Sequence, residues 1–341
     1  MSASSDFSWL REHLLPFVKP VILGSNQFFK LIASIPGHMR EITYGDTINW
    51  TLIYADNDSI AAGDEGESLG TAGKSYYAEM EMAPQIYRGY YSIKDETRVY
   101  ENSPMKFTSI LQEEKRSCLR ALTKQVNTDT YSGTGTSGIF GLAELIKDSG
   151  TYAAQTRGTS SWHTPYYNDN SGSNRSLTAA LLDDVYFTQY NRMTDEDDDN
   201  RIVILCSPSM LIQFDSLSTI AENHVMNLGS ATRQIGASVY NYTYRNHPII
   251  PIRSNAATHP LKNKILMLNL NDFYVNFLRY IATPNELEGY GMEFLAVDDA
   301  TGVLLKKVPS DKDEDLYMIK TAIQITNENM YRVASLVDIT E

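Results

Sequence analysis

Two alternating stretches separated by a long acidic, glycine-rich interval constrain this chain more than any other feature. In DTINWTLIY, residues 46–54, Ile48, Trp50, Leu52 and Tyr54 fall on one face while Asn49 and Thr51 fall on the other. KSYYAEMEM, residues 74–82, groups Tyr76, Ala78, Met80 and Met82 in the same way. A period of two is the mark of a strand with one buried face. Between the stretches lies ADNDSIAAGDEGESLGTAG, with Gly63, Gly66, Gly70 and Gly73 and five acids from Asp56 to Glu67. The pattern predicts strand, long acidic tip, strand: an extended hairpin occupying residues 46–94. A two-stranded hairpin is marginal in water. Its apolar face must lie on a partner.

The flanking segments set the context. Residues 1–45 carry Trp9, Leu10, Leu14, Leu15, Phe17 and Val18, but Pro16, Pro20 and Pro36 interrupt any long helix. Phe28, Phe29, Leu31, Ile32 and Ile35 follow with no self-contained element to hide in, so the segment reads as an arm that packs on something else. Downstream, Ser103-Pro104 is a helix start, with Ser as cap and Pro in the first turn. Phe107, Leu111, Cys118, Leu122 and Val126 then recur at helical spacing, with Glu113, Glu114, Lys115 and Arg116 assigned to the opposite side. At about 1.5 Å per residue the helix runs roughly 40 Å, and Gly133 ends it.

Residues 145–176, rich in Gly, Ser, Thr, Asn and Tyr, read as a long surface loop, with 150–175 as an exposed decoration. A helix at 177–192, the buried strand RIVILC, the helix SPSMLIQF and the strands VYNYTY, HPIIPIR, KILMLNL and FYVNFLRYI make a mixed α/β unit. DLYMIKTAIQI and ENMYRVASLVDI are predicted to close the chain as an antiparallel pair turning at Thr326-Asn327, with Tyr317, Ile319, Ile323 and Ile325 on one face. There is no internal repeat.

Charge and composition exclude several roles. A net charge of −13 is the wrong sign for a protein that grips nucleic acid phosphates. The two cysteines, Cys118 and Cys206, lie far apart among apolar neighbours, as buried thiols of a reducing compartment do. No apolar run approaches the ~20 residues of a membrane span, and the N-terminus lacks the features of a secretory signal. The 22 tyrosines, twice the 11 phenylalanines, favour protein–protein interfaces.

The chemical motifs fail one by one. Gly133-x-Gly135-x-x-Gly138 spells a dinucleotide fingerprint, but that site needs a preceding strand and an acid about 20 residues on. Here a helix precedes, and Gly158, Thr159 and Ser160 stand at that distance. The glycines are read as a helix stop and tight turn. Asp195 to Asp199 resembles the start of a calcium loop, yet the Gly and Glu positions hold Asn200 and Cys206. His13, His38, His163, His224, His247 and His259 form no ligand pattern. No catalytic, cofactor-binding or metal-binding residue is assigned, and an enzyme is not expected.

The order of elements is more informative. TYGDTINW before the hairpin, YSGTGTSGIFGL after the long helix, HPIIPIRSN, ILMLNLNDFYVNFL and the closing DLYMIKTAIQITNENMYRVASLVDI together resemble the tailed-phage major capsid proteins of the Hong Kong 97 fold. The resemblance implies an α+β capsid fold: N-terminal arm (1–45), extended β-hairpin loop (46–94), long spine helix of a peripheral domain (95–133), α/β axial domain (134–283) and peripheral-domain strands (284–341). It also implies hexamers and pentamers that close an icosahedral head around packaged double-stranded DNA, which sits near the shell by non-specific proximity. Portal, scaffolding and decoration proteins would be further partners, with the virion as location and the host cytoplasm as place of assembly. The candidate inter-subunit contacts are Trp9, Phe28, Phe29, Trp50, Tyr54, Asp64, Glu65, Glu67, Tyr76 and Met80. Covalent Lys–Asn locking of shells, known in some relatives, draws attention to Lys74 with Asn327 or Asn329. The alternatives are an encapsulin-like nanocompartment, a nucleotide-binding enzyme using the Gly133–Gly138 loop, and a tail or baseplate protein.

Overall fold

In the computed structural model the described residues are 26–43, 47–55, 76–94, 104–136, 138–193, 201–217, 243–245, 247–254, 258–279, 293–298, 303–308 and 314–341. They form an α+β fold on two six-stranded sheets, with two smaller two-stranded ribbons.

Strand β15 (Glu314–Asn327) organises the first sheet. Strand β4 (Gln85–Lys94) pairs antiparallel with ten of its residues. On the opposite edge, β14 (Val303–Val308) and β12 (Phe273–Arg279) follow one another, since Leu316 pairs with both Val308 and Ser92, and Ile323 with both Phe277 and Gln85. Strand β13 (Glu293–Asp298) lies outside β14, and β1 (Met39–Thr43) adds parallel to β12. Tyr317, Ile319, Ile323 and Ile325 enter the main core together, as their alternation predicts.

The long helix, α2 (Pro104–Ser132), is 29 residues and packs on β4. Leu119, Leu122 and Val126 enter the core. The approach is close: a Cβ on Gly89 of β4 would lie 2.6 Å from Cys118 Sγ. Glu113, Glu114 and Arg116 are exposed, but Lys115 is buried, a correction to the predicted polar side. The spacing explains it, because Lys115 stands four and seven residues before Leu119 and Leu122, on the core stripe. Burial pushes its ammonium pKa down to about 7.

The second sheet runs β7 (Tyr166–Asn168), β16 (Ala334–Val337), β11 (Lys264–Asn269), β8 (Ile202–Cys206), β10 (His247–Pro251), β9 (Thr243–Tyr244). Every β8 side chain is buried because both faces are covered. Val203 and Leu205 face the main core, while Ile202, Ile204 and Cys206 join a second core under α4 (Ala179–Asn191) and α5 (Met210–Asp215).

Four expectations about organisation are corrected. The two closing segments do not pair with each other. Thr326 and Asn327 are ladder residues opposite Tyr274 and Phe273, and the chain then passes through a 3-10 turn, Met330–Arg332, into the other sheet. The boundaries at 283 and 284 therefore fail, since β12 belongs to the first sheet and β16 to the second. Residues 26–43 are not an arm: Asn26 caps α1 (Gln27–Ala33) by accepting from the Phe28 and Phe29 amides, and Phe28, Phe29, Leu31 and Ile32 are buried in this chain's own core. The hairpin proper is β2 (Ile48–Ala55) with β3 (Tyr76–Met82), and β4 leaves it for the first sheet.

The glycine loop after α2 has a structural explanation. Gly133 N donates to Asp129 O at 2.8 Å, and Gly141 N to Gly133 O at 2.9 Å. A Cβ on Gly133 would meet Ile139 O at 2.1 Å, and one on Gly138 would meet Asp129 Oδ2 at 2.5 Å. Tyr87 OH on β4 donates to that carboxylate (2.8 Å) and accepts from Ile139 N (2.9 Å). The volume a phosphate would need is filled by the protein's own backbone and by Asp129. Gly133→Ala is expected to destabilise the fold by about 1–3 kcal/mol, whereas Thr134→Ala at the neighbouring exposed position stays within about 0.5 kcal/mol. Urea unfolding midpoints check both.

Candidate assembly surfaces

The foot of the hairpin is held by its own chain. Ile48, Trp50 and Leu52 of β2 stand opposite Met82, Met80 and Ala78 of β3. This face rests on residues 150–163, which are not a free decoration. Strands β5 (Thr151–Tyr152) and β6 (Gln155–Thr156) form a small ribbon whose turn places Ala153 and Ala154 at φ 48° and 66°. Two left-handed non-glycine residues cost roughly 1–2 kcal/mol each. The turn presents Ala153 O to Glu81 N on β3 at 3.3 Å, and Gln155 Nε2 donates to Glu79 O at 3.3 Å.

Buried polar groups hold this platform. The Tyr152 hydroxyl accepts from Asn327 N (2.7 Å) and donates to Asn327 O (3.3 Å), fixing the ribbon to the end of β15. Arg157 Nη1 donates to the carbonyls of Glu144 (2.8 Å) and Lys147 (2.9 Å), which closes the C-terminal end of α3 (Leu142–Leu145). His163 is fully buried, its ring stacked 5.7 Å from that of Tyr152.

The predicted contact residues separate into three groups. Trp9, Asp64, Glu65 and Glu67 lie outside the described residues. Phe28, Phe29 and Met80 are buried inside the chain, so none offers a surface to a neighbour. Trp50 is half-buried with its ring 6.3 Å from Tyr152, leaving Tyr54 and Tyr76 as exposed members of the set. The cross-link candidate Asn327 is also buried, which closes its amide to another subunit, and Lys74 lies outside the described residues.

Other exposed apolar groups were missed. Ile53 and Tyr77 are cross-strand partners on the outward face of the hairpin, 63% and 65% exposed. They break the alternation, and an apolar residue in the polar phase was their signal. Ile86 and Tyr90 are exposed on the outer face of β4. On α4, Phe187 and Tyr190 are exposed, with Arg245 stacked 4.5 Å over Phe187 and paired to Asp183 at 2.6 Å. Among the described residues no group of three or more His, Cys, Asp or Glu is placed to hold a metal ion.

The platform has a pH signature. Burial pushes the His163 pKa down from 6.5 to about 4. Between these values the unfolded chain binds a proton that the folded chain refuses, so stability falls as pH drops through that window, by at most ~1.4 kcal/mol per pH unit. Urea midpoints at pH 7, 6, 5 and 4.5 are expected to show a steeper acid loss for the native chain than for His163→Phe; parallel curves would contradict this.

No protein-family model and no curated protein sequence matches the chain. Solved structures do. A cyanophage A-1(L) capsid asymmetric unit superposes with a TM-score of 0.68 at 16% identity, covering 92% of this chain and 93% of that one. The capsid of the empty GTA particle gives 0.53 at 10% identity over 91% and 90%. The mature capsid of bacteriophage PhiM1 gives 0.50 at 10% identity over 89% and 86%. Agreement over nine-tenths of both chains at such low identity is agreement of architecture. The chain has the fold of the tailed-phage major capsid proteins, the Hong Kong 97 type.

Proposed function

We propose that this chain is a major capsid protein whose copies assemble into hexamers and pentamers and close an icosahedral head around a double-stranded DNA genome. The observation that carries this is the near full-length superposition on the cyanophage A-1(L) capsid structure, which covers 92% of this chain and 93% of that one. The surface supports it. The hairpin pair Ile53 and Tyr77 and the β4 pair Ile86 and Tyr90 are two unlike apolar surfaces, and head-to-tail rings need two different faces per subunit. Repetition makes modest contacts sufficient.

The role is structural. The glycine loop that an enzyme would have used is filled by the protein itself. The net charge of −13 lets packed DNA lie near the wall with little adhesion. Portal, scaffolding and decoration proteins are the further partners, and the virion, assembled in the host cytoplasm, is the location. An encapsulin-like compartment is the rival within the fold, and particle contents separate the two: nuclease-protected DNA from infected cells supports the head, an enclosed enzyme the compartment.

Deleting residues 56–73 is expected to leave a folded subunit, with its circular dichroism and unfolding midpoint close to those of the native chain, and to abolish closed shells in negative-stain micrographs. Normal shells from the deletion would show that the hairpin tip is dispensable.

A further inference from the structure

Strand β4 pairs with β15 through ten residues and has no ladder partner on its other side among the described residues. Alternate residues of such a strand turn their N–H and C=O groups away from the sheet, and a long regular edge left bare recruits another strand. Proteins blunt edges by shortening, bulging or covering them. The other described edges follow that rule. Strand β1 has five residues, β7 three and β9 two. The β13–β14 ladder is irregular between Phe294 and Ala296, and the β2–β3 ladder between Ile53 and Ala55. The edge of β3 is met by Ala153 O and by the Gln155 side chain. Strand β4 has no proline and no register shift, and among the described residues none of its backbone groups bonds outside the β15 ladder.

Beside that edge lies a groove of about 460 Å³, with Arg88 and Gly89 on the strand and Glu114, Ser117, Ala121 and Gln125 on α2. Arg88 and Glu114 are exposed and opposite in charge, yet neither forms an ion pair among the described residues. The neighbours Glu113 and Arg116 are already matched to each other at 2.9 Å. A groove with an unmatched cation on one wall and an unmatched anion on the other is complementary to itself. A two-fold axis presents Arg88 to Glu114 twice, as an isologous contact requires. The bare edge is self-complementary in the same way, because a two-fold axis sets a strand antiparallel to its own copy. The proposed assembly has a place for such a contact. Head-to-tail interfaces close rings but do not join one ring to the next, and rings meeting side by side do so across local two-fold axes. Ile86 and Tyr90, on the outward face of β4, stand across the sheet from α2 and remain for the ring contact. Resting on that assembly, we infer that the free edge of β4 joins ring to ring: it pairs antiparallel with β4 of a second copy, Arg88 of each set against Glu114 of the other.

Two measurements on the full-length chain test this. Arg88→Glu or Glu114→Arg alone sets like charges against each other, and each should raise the critical concentration for shell assembly severalfold at about 50 mM salt, with circular dichroism unchanged. An equal mixture of the two variants restores opposite charges only between different copies, so it should assemble at close to the native concentration. Single variants that assemble like the native chain, or a mixture no better than its components, would overturn the inference. Cross-linking does not depend on charge. In a Cys118→Ser background, Arg88→Cys and Tyr90→Cys, made one at a time and treated in assembled shells with a short bismaleimide, should give covalent dimers through one site and its own copy. Only a two-fold axis brings a residue of this edge beside itself. Shells that yield monomer from both sites would overturn the inference and leave the shell function standing. A native chain that never self-associates would overturn the proposed function, and the inference with it.

Discussion

Strand β15 is paired on both edges at residues 316–320 and 323, its residues 317–319 and 321–327 are buried, and the rest of the fold takes its positions from that strand. Its core face carries Ile319, Ile323 and Ile325 into the cluster that also receives Leu119, Leu122 and Val126 of α2. Gly89 lets the helix come close to β4, and the glycine loop then reverses the chain against the end of the helix through Asp129 and Tyr87. The last residue of β15, Asn327, holds Tyr152 and with it the platform under the hairpin. Interiors at this density transmit displacement, so the hairpin leaves the body in a direction set by the same strand that sets the helix.

Much of this was legible in the sequence, and what was not has physical causes. The hairpin, the long helix and the buried β8 announced themselves by period and run length. The glycines were correctly read as a turn because a helix preceded them. The pairing of β15 is not legible, because alternation reports which side chains share a face and says nothing about the strand across the ladder. The placement of Phe28 and Phe29 is not legible, because a seven-residue helix is too short for periodicity to declare it and its partners β12 and α2 lie far away in sequence. The chemical type of Lys115 points to solvent, but its spacing places it with Leu119 and Leu122. The bare edge of β4 and the groove beside it could not have been read at all, since period declares a strand without saying whether it has a neighbour on each side.

The candidate surfaces follow from this division of labour. The inward face of the hairpin is spent on its own platform, so Met80 and Trp50 serve the monomer. Among the described residues the large apolar groups left outward are Ile53, Tyr54, Tyr76 and Tyr77 on the hairpin, Ile86 and Tyr90 on β4, Phe187 and Tyr190 on α4, and Ile212 on α5. These are aromatic and aliphatic groups of the kind that anchor interfaces, and Arg245 over Phe187 adds the cation–aromatic contact common at such sites. Among the described residues the cores are closed within one chain and apolar groups stand exposed on the surface, as the proposed assembly requires.

That claim is tested most directly by a cryo-electron microscopy reconstruction of particles formed by the full-length chain. The account predicts closed shells in which the outward side chains of Ile53 and Tyr77 are covered by an adjacent copy, while the platform beneath Trp50 keeps the contacts it makes within one chain. A discrete monomer with Ile53 and Tyr77 covered by its own residues, or shells in which that pair faces open solvent, would contradict it.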